Sequence, residues 1–177
     1  MTNEKPSTFE EVVERYGDFV YNVALRMTGD PVEAEDVAQE AFIDAFRAWE
    51  RFRGDSQVTT WLYRITVNRS LMKVRKEKKA RQLTQTGIED QEIVDWTIGP
   101  EQAAIGAELR RKLEEGINLL PEELRAAVVL RDIQSLSNVE AAEALDITVA
   151  ALKARLHRGR VLLRKFLQEY VRTPASG

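Results

Sequence analysis

The stretch Ser137–Arg164, SNVEAAEALDITVAALKARLHRGRVLLR, decides the fold. Ser137 and Glu140 have the S-x-x-E spacing of a capping box, which predicts a short helix starting at Ser137. The pattern breaks between Leu145 and Thr148. Asp146 stands there where a tight inter-helix turn usually places Gly, and Asp is one of the few other residues that tolerate a left-handed backbone. From Val149 onward, Val149, Leu152, Leu156, Gly159 and Leu163 recur at three- and four-residue steps and form one apolar stripe. Two helices joined by a short turn, the second longer than the first, read as a helix-turn-helix.

The opposite face of the longer helix carries Ala150, Ala151, Lys153, Ala154, His157 and Arg158, with Arg155 and Arg160 on its flanks. Small side chains near the helix start let the backbone approach a major groove and touch thymine methyls. Lys and Arg further along reach phosphates or guanine edges. DNA is the expected partner; a solvated basic face favoured by the helix macrodipole is the plainer alternative. His157 is the only histidine and there is no cysteine. No metal site, and no cofactor, is expected.

The rest of the chain fits a globular protein of 177 residues, with 44% hydrophobic and 31% charged residues. Its first residues, MTNEKPSTFEEVVERY, lack a basic-then-apolar signal, and no apolar run approaches the roughly 20 residues that cross a bilayer. A cytoplasmic protein without membrane insertion is expected. The net charge of −3 hides a segregation by sign. Acids dominate Phe9 to Glu50, whereas Arg64, Arg69, Lys73, Arg75, Lys76, Lys78, Lys79 and Arg81 face only Glu77 between Arg64 and Arg81. Lys153 to Lys165 contains no acid. Two cationic segments predict two DNA contacts, each with its own salt-dependent phosphate term.

Helix signals recur along the chain. Ser7 with Glu10, and Asp30 with Glu33 behind Pro31, have capping-box spacing; Pro100 and Pro121 mark further starts. Phe9, Val12, Val13, Tyr16, Val20, Val23 and Met27 trace the buried stripe of a first helix. Ala34, Val37, Ala38, Ala41, Phe42, Ala45 and Trp49 trace a second. Turn composition over FRGDSQVTT (Phe52 to Thr60) precedes a third helix from Trp61 to about Lys79. Residues Gln82 to Ala107 are polar, acidic and aperiodic. The expected fold is all-α, with two small helical domains joined by a flexible linker: residues 6–81, a linker at 82–100, and residues 101–172 carrying the helix-turn-helix. Trp96 and Ile98 are apolar enough to anchor the linker, on a domain or on a partner.

On a helical wheel Asp36, Gln39, Glu40, Ile43 and Arg47 fall opposite the apolar stripe of the second helix. An isoleucine ringed by polar side chains resembles a small interface centre with a polar rim, though lone exposed apolar residues are common. Carboxylates at Asp36, Glu40 and Asp44 could instead serve a metal-dependent nucleic-acid-processing enzyme. Nothing nearby supplies a nucleophile, a ligating His or a phosphate-cradling Gly loop, so no enzymatic activity is expected.

Asp36-Val37-Ala38-Gln39-Glu40-Ala41-Phe42, then FRGDSQVTTWLYRITVNRS, then the helix-turn-helix, together resemble the extracytoplasmic-function sigma factors of bacterial RNA polymerase. The likeness covers nearly the whole chain. It implies a promoter-recognising subunit without catalysis of its own, whose core contacts, to the beta-prime coiled coil and to beta, involve Asp36, Gln39, Glu40 and Ile43. It implies that the loop Arg53-Gly54-Asp55-Ser56 and the helix behind it read the minus-ten element, where a non-template base is flipped from the duplex. Trp61, Tyr63 and Asn68 would stack on or hydrogen-bond that base, and Arg64, Arg69, Lys73 and Arg75 would neutralise the strand. Trp61 is equally readable as core. Lys153, Ala154, Arg155, His157 and Arg158 match the helix that reads the minus-35 element.

The chain departs from the family pattern at Asp146, where the turn usually has Gly, at Ala150-Ala151-Leu152 in place of Gly-Thr-Val, and at Met72 in place of Asp. These departures bear on promoter sequence. The resemblance also implies a linker that threads toward the polymerase active site, for which Glu89, Asp90, Glu92, Asp95 and Glu101 are suited as nucleic-acid mimics, and an anti-sigma factor that occludes both domains. A helix-turn-helix regulator acting as a homodimer without polymerase is the alternative function.

Overall fold

The computed structural model describes residues 6–84 and 107–172, and these residues form helices and turns. The linker acids, Trp96, Ile98, Pro100 and most of the 82–100 segment lie outside the described residues. Helix α1 (Phe9–Thr28) starts one residue later than its capping-box spacing predicts: Thr8 is the N-cap and accepts from the Glu11 amide, while the Ser7 amide donates to the Glu11 carboxylate at 2.9 Å. Gly29, with φ of 75°, ends it in a left-handed cap. Helix α2 (Pro31–Trp49) starts as expected, with Asp30 accepting from the Val32 and Glu33 amides and Pro31 in the first turn. The Glu33 side chain does not turn back to close a capping box; it reaches Lys73 at 2.6 Å.

Helix α3 (Val58–Thr84) begins three residues before Trp61 and runs past Arg81. Helices α1, α2 and α3 pack on one another through Val12, Val20, Ala38, Ala41, Ala45, Val58 and Leu62. The alanines of α2 leave room for close helix approach, and their burial follows the predicted stripe. Val13, placed in the stripe of α1 by spacing, is 40% exposed, because it sits at the edge of the apolar arc. Thr66 and Ser70 are buried on α3 and satisfy their hydroxyls by donating to Leu62 and Thr66 carbonyls one turn back.

The second half comprises α4 (Ala107–Leu119), α5 (Glu122–Val128), a π-helical turn (Val129–Ile133), α6 (Asn138–Ala144) and α7 (Val149–Arg172). Ser137 caps α6, and the box closes in both directions: the Ser137 hydroxyl accepts from the Glu140 amide, and the Ser137 amide donates to Glu140 at 2.8 Å. Asp146 has φ of 54°, the left-handed turn expected of it. Leu152, Leu156 and Leu163 are buried, and α7 approaches α5 so closely at Gly159 that a Cβ there would lie 2.8 Å from Val128.

The two halves do not each close a separate small core. One cluster unites Val23, Met27, Tyr63 and Val67 of the first half with Ile117, Leu130, Leu136, Ala141 and Leu152 of the second. Across the same seam the buried Arg125 of α5 donates to the carbonyls of Met27, near the end of α1, and of Asn118 and Leu120, at the end of α4. A guanidinium is suited to this position, since two helix C-termini converge there with unpaired carbonyls and negative partial charge. Its burial lowers the Arg125 pKa from the ordinary guanidinium value, and Glu122 opposes that shift.

Candidate nucleic-acid interface

Helix α3 divides its polar side chains by face. Arg64, Asn68 and Arg75 lie within about 40° of each other on the wheel, whereas Arg69 and Lys73 lie about 140–180° from Arg64. The second pair faces α2. Arg69 pairs with Asp44 and, at 3.6 Å, with Glu40; Lys73 pairs with Glu33 and, at 3.7 Å, with Asp36. Two side chains expected at the polymerase, Asp36 and Glu40, are thus paired with two expected at DNA. Glu77, the lone acid of the cationic segment, has its pKa raised by burial first and by the neighbouring Glu33.

The other face of α3 meets the second half. Arg64 donates to the Glu143 carbonyl at 2.8 Å and lies 3.8 Å from the Asp146 carboxylate. Arg75 lies 3.1 Å from Glu122 and 3.7 Å from Glu123. Tyr63, expected to stack on a base, is only 3% exposed: its ring lies 4.1 Å from that of Phe19, and its hydroxyl donates to Gln134 at 3.1 Å. Burial, reinforced by the Glu140 charge, raises the Tyr63 pKa well above the usual phenol value. Asn68 remains exposed.

Arg53, Gly54 and Asp55 are exposed and Ser56 half-buried in the loop between α2 and α3, and Gly54 has φ of 78°. The loop is rooted in an aromatic cluster: the Phe52 ring lies 4.8 Å from Trp61 and 5.9 Å from Trp49. Trp61 is half-buried, one side in this cluster. On α2, Asp36, Gln39, Glu40 and Ile43 are exposed together. Phe46, 63% exposed, extends this patch by one turn and packs on Phe9 at 5.3 Å. It was recoverable from the sequence as the residue three after Ile43.

At the start of α7 the Thr148 hydroxyl accepts from the Ala151 amide at 3.1 Å. Ala150, Lys153, Ala154, His157 and Arg158 are exposed, and Ala151 and Arg155 are half-buried. Arg155 lies 3.6 Å from Glu123, and Arg160 holds Asp132 through two nitrogens, at 2.5 and 2.8 Å. Beside this face, Arg131, Asn138, Lys153, His157 and Arg164 line a shallow cationic groove. Among the described residues no group of three or more His, Cys, Asp or Glu is arranged to hold a metal, and no helix is long and apolar enough to cross a membrane.

Comparison with known proteins matches both halves of the chain to one family. The Sigma-70 region 2 family matches residues 12–80, and the Sigma-70, region 4 family matches residues 110–163. The chain is 38% identical to the ECF RNA polymerase sigma factor SigW of Bacillus subtilis, over 91% of this chain and 89% of that one. It is 34% identical to the RNA polymerase sigma-H factor of Pseudomonas aeruginosa (93% and 88% covered) and to the ECF RNA polymerase sigma-E factor of Escherichia coli K12 (93% and 88%).

Among solved structures, the sigma factor RpoE in complex with the anti-sigma factor NepR from Bartonella quintana superposes with a TM-score of 0.70 at 21% identity, covering 90% of this chain and 96% of that one. CnrH in complex with the cytosolic domain of CnrY gives 0.65 at 25%, covering 91% and 88%. The chain belongs to the extracytoplasmic-function sigma factors of RNA polymerase. It is a specificity subunit for transcription initiation, which separates it from a homodimeric regulator carrying the same helix-turn-helix.

Proposed function

We propose that three surfaces divide the work of initiation. The α2 face of Asp36, Gln39, Glu40 and Ile43, extended by Phe46, docks on the beta-prime coiled coil of core polymerase; further core contacts run to beta. Exposed Ile43 and Phe46 supply the apolar centre such an interface needs, and the surrounding polar groups supply its rim. The loop Arg53–Ser56 with Trp61 receives a flipped minus-ten base. The aromatic cluster gives that base a rigid platform. Arg64, Asn68 and Arg75 follow the strand along one face of α3; Arg69 and Lys73, on the face turned to α2, meet phosphates where the strand passes the α2–α3 edge, in place of their α2 carboxylates. Tyr63 joins them by leaving Gln134.

The minus-35 element is read by α7 through Ala150, Ala151, Lys153, Ala154, Arg155, His157 and Arg158. The observation that carries this reading is the capped start of α7, with Ala150 and Ala154 exposed beside Lys153, His157 and Arg158. Small residues admit the helix to a major groove, and the cations engage the strand on either side. The domains divide at about residues 81 and 101, and the intervening segment couples the two contacts through effective concentration. The chain catalyses nothing itself and works in the cytoplasm. An anti-sigma factor, as in the RpoE complex with NepR, is a further partner.

Run-off transcription on a genomic fragment library, with purified core polymerase and this chain, tests the reading. Defined 5′ ends that appear only when both are present are expected. Failure to associate with core, or tight symmetric binding of duplex DNA by the chain alone, overturns it.

A further inference from the structure

Among the described side chains of α3, Met72 is the large apolar group that stands exposed, at 60%. Its place on the helix singles it out, since a lone exposed apolar residue is common on any surface. At about 100° per residue, Trp61, Asn68, Met72, Arg75 and Lys79 fall within about 60° of one another on the wheel. Asn68, Arg75 and Lys79 are exposed with it, and Trp61 is half-buried. Met72 thus interrupts a polar and cationic stripe, the stripe laid along the promoter strand in the functional reading above.

Chemistry narrows what such a group can do there. Lys and Arg meet phosphates, and Asn pairs with a base edge through its amide. A thioether does neither: it has no donor and only a weak acceptor, on a flexible, polarizable chain that moulds to apolar surface. In the major groove the C5 methyl of thymine is the one apolar group that a base edge presents. An acid at this position would repel the strand, whereas methionine leaves the contact neutral and apolar.

Helix length gives the position. Met72 is 11 residues beyond Trp61. That is a rise of roughly 16 Å at about 1.5 Å per residue, which spans about five base pairs of duplex at about 3.4 Å each. The chain leads from α3 to the half carrying α7, the proposed reader of the upstream minus-35 element, so the later turns of α3 point upstream. Resting on the functional reading above, we propose that Met72 is a specificity-determining residue that reads a thymine methyl within about five base pairs upstream of the flipped minus-ten base. The contact differs in kind from those of its neighbours. It releases no counterion, so its loss leaves the salt dependence of binding unchanged.

The test uses the full chain in holoenzyme. Met72→Gln keeps the length and removes the apolar end; Met72→Leu keeps an apolar end. Both residues are good helix formers at an exposed site, so the fold is preserved. Run-off transcription from a promoter library randomised just upstream of the minus-ten element reads base preference for parent and variants. Deoxyuridine, which lacks only the methyl, then replaces each selected thymine in binding titrations at several salt concentrations.

Parent and M72L holoenzymes are expected to select thymine at one position of the window. Deoxyuridine there should weaken both roughly three- to fivefold, the worth of one buried methyl group. M72Q holoenzyme should lose the preference, tolerate deoxyuridine and keep the parent's slope of log K against log salt. The same thymine selected by M72Q, no thymine preference in the parent, or a flattened slope in M72Q overturns the assignment. If that occurs while parent holoenzyme still initiates, the functional reading stands without this contact. Parent holoenzyme that initiates nowhere removes the functional reading as well.

Discussion

Asp44 on α2 and Arg69 on α3 form a direct carboxylate–guanidinium pair, both side chains about 70% shielded from solvent. The pair ties the helix proposed to dock on polymerase to the helix proposed to follow DNA. Asp44→Asn keeps the shape and removes the charge. We expect a loss of about 1 kcal/mol in urea unfolding, the usual range for a partly shielded pair, and a smaller loss for Glu40→Gln, whose contact at 3.6 Å is longer and more exposed. Equal losses would mean that Arg69 is held by packing.

Arg125→Met replaces the buried guanidinium by an apolar side chain of comparable length and leaves the carbonyls of Met27, Asn118 and Leu120 without this donor. Destabilisation of about 2–4 kcal/mol is expected in thermal or urea unfolding, as for other buried polar groups deprived of a partner. Arg125→Lys should recover only part of it, because one ammonium cannot fork between two helix ends.

Alanine at Arg64, Arg75 or Arg158 should weaken promoter binding by holoenzyme and flatten its salt dependence. Each lost phosphate contact lowers the slope of log K against log salt by about 0.7–0.9. Titrations at several salt concentrations check this; unchanged slopes would remove these three from the phosphate-binding set.

Gly159→Ala adds a Cβ that would meet Val128 at 2.8 Å in the α5–α7 seam. Alanine favours the helix by about 1 kcal/mol, but overpacking a tight core costs about 1–3 kcal/mol, so a net loss of stability is expected. Gly17→Ala on α1, where nothing lies within 4 Å, should show the propensity gain alone. Unfolding midpoints of the two variants should move in opposite directions.

The Ser137 backbone and side-chain hydrogen bonds hold the Glu140 pKa below its ordinary 4.5. A carboxylate depressed on folding stabilises above its unfolded value, and that contribution disappears as pH falls from about 4.5 through the lower folded value. Glu140→Gln does not titrate. The dependence of the unfolding midpoint on pH below 5 should therefore be shallower in the variant than in the parent, by a modest amount for a largely solvated group.

The helices were legible because their signals are local. Ser137 with Glu140, Asp30 with Pro31, and the alanine stripe of α2 each specify an element through neighbours no more than a few residues apart. The partners of the two faces of α3 were not legible: a helical wheel separates Arg69 and Lys73 from Arg64 and Arg75, but only tertiary placement sends the first pair to α2 and the second to the other half. The chemistry of Tyr63 suits base stacking, but Phe19 and Gln134, distant in sequence, cover it. The packing of the two halves on one another escaped for the same reason. Apolar spacing marks Val23 and Met27 as buried but not what buries them, and the bond from the Arg125 guanidinium to the Met27 carbonyl carries no periodicity at all.

The rings of Trp49 and Trp61 lie 6.0 Å apart beside the Arg53–Ser56 loop, with Phe52 against both. At that spacing the two indoles exchange excitation energy, so the proposed stacking of a nucleobase on Trp61 would quench the emission of both. Against the steady emission of Trp96, the unlabelled polypeptide would then carry its own optical gauge of that step, readable in a stopped-flow cuvette as the bubble forms.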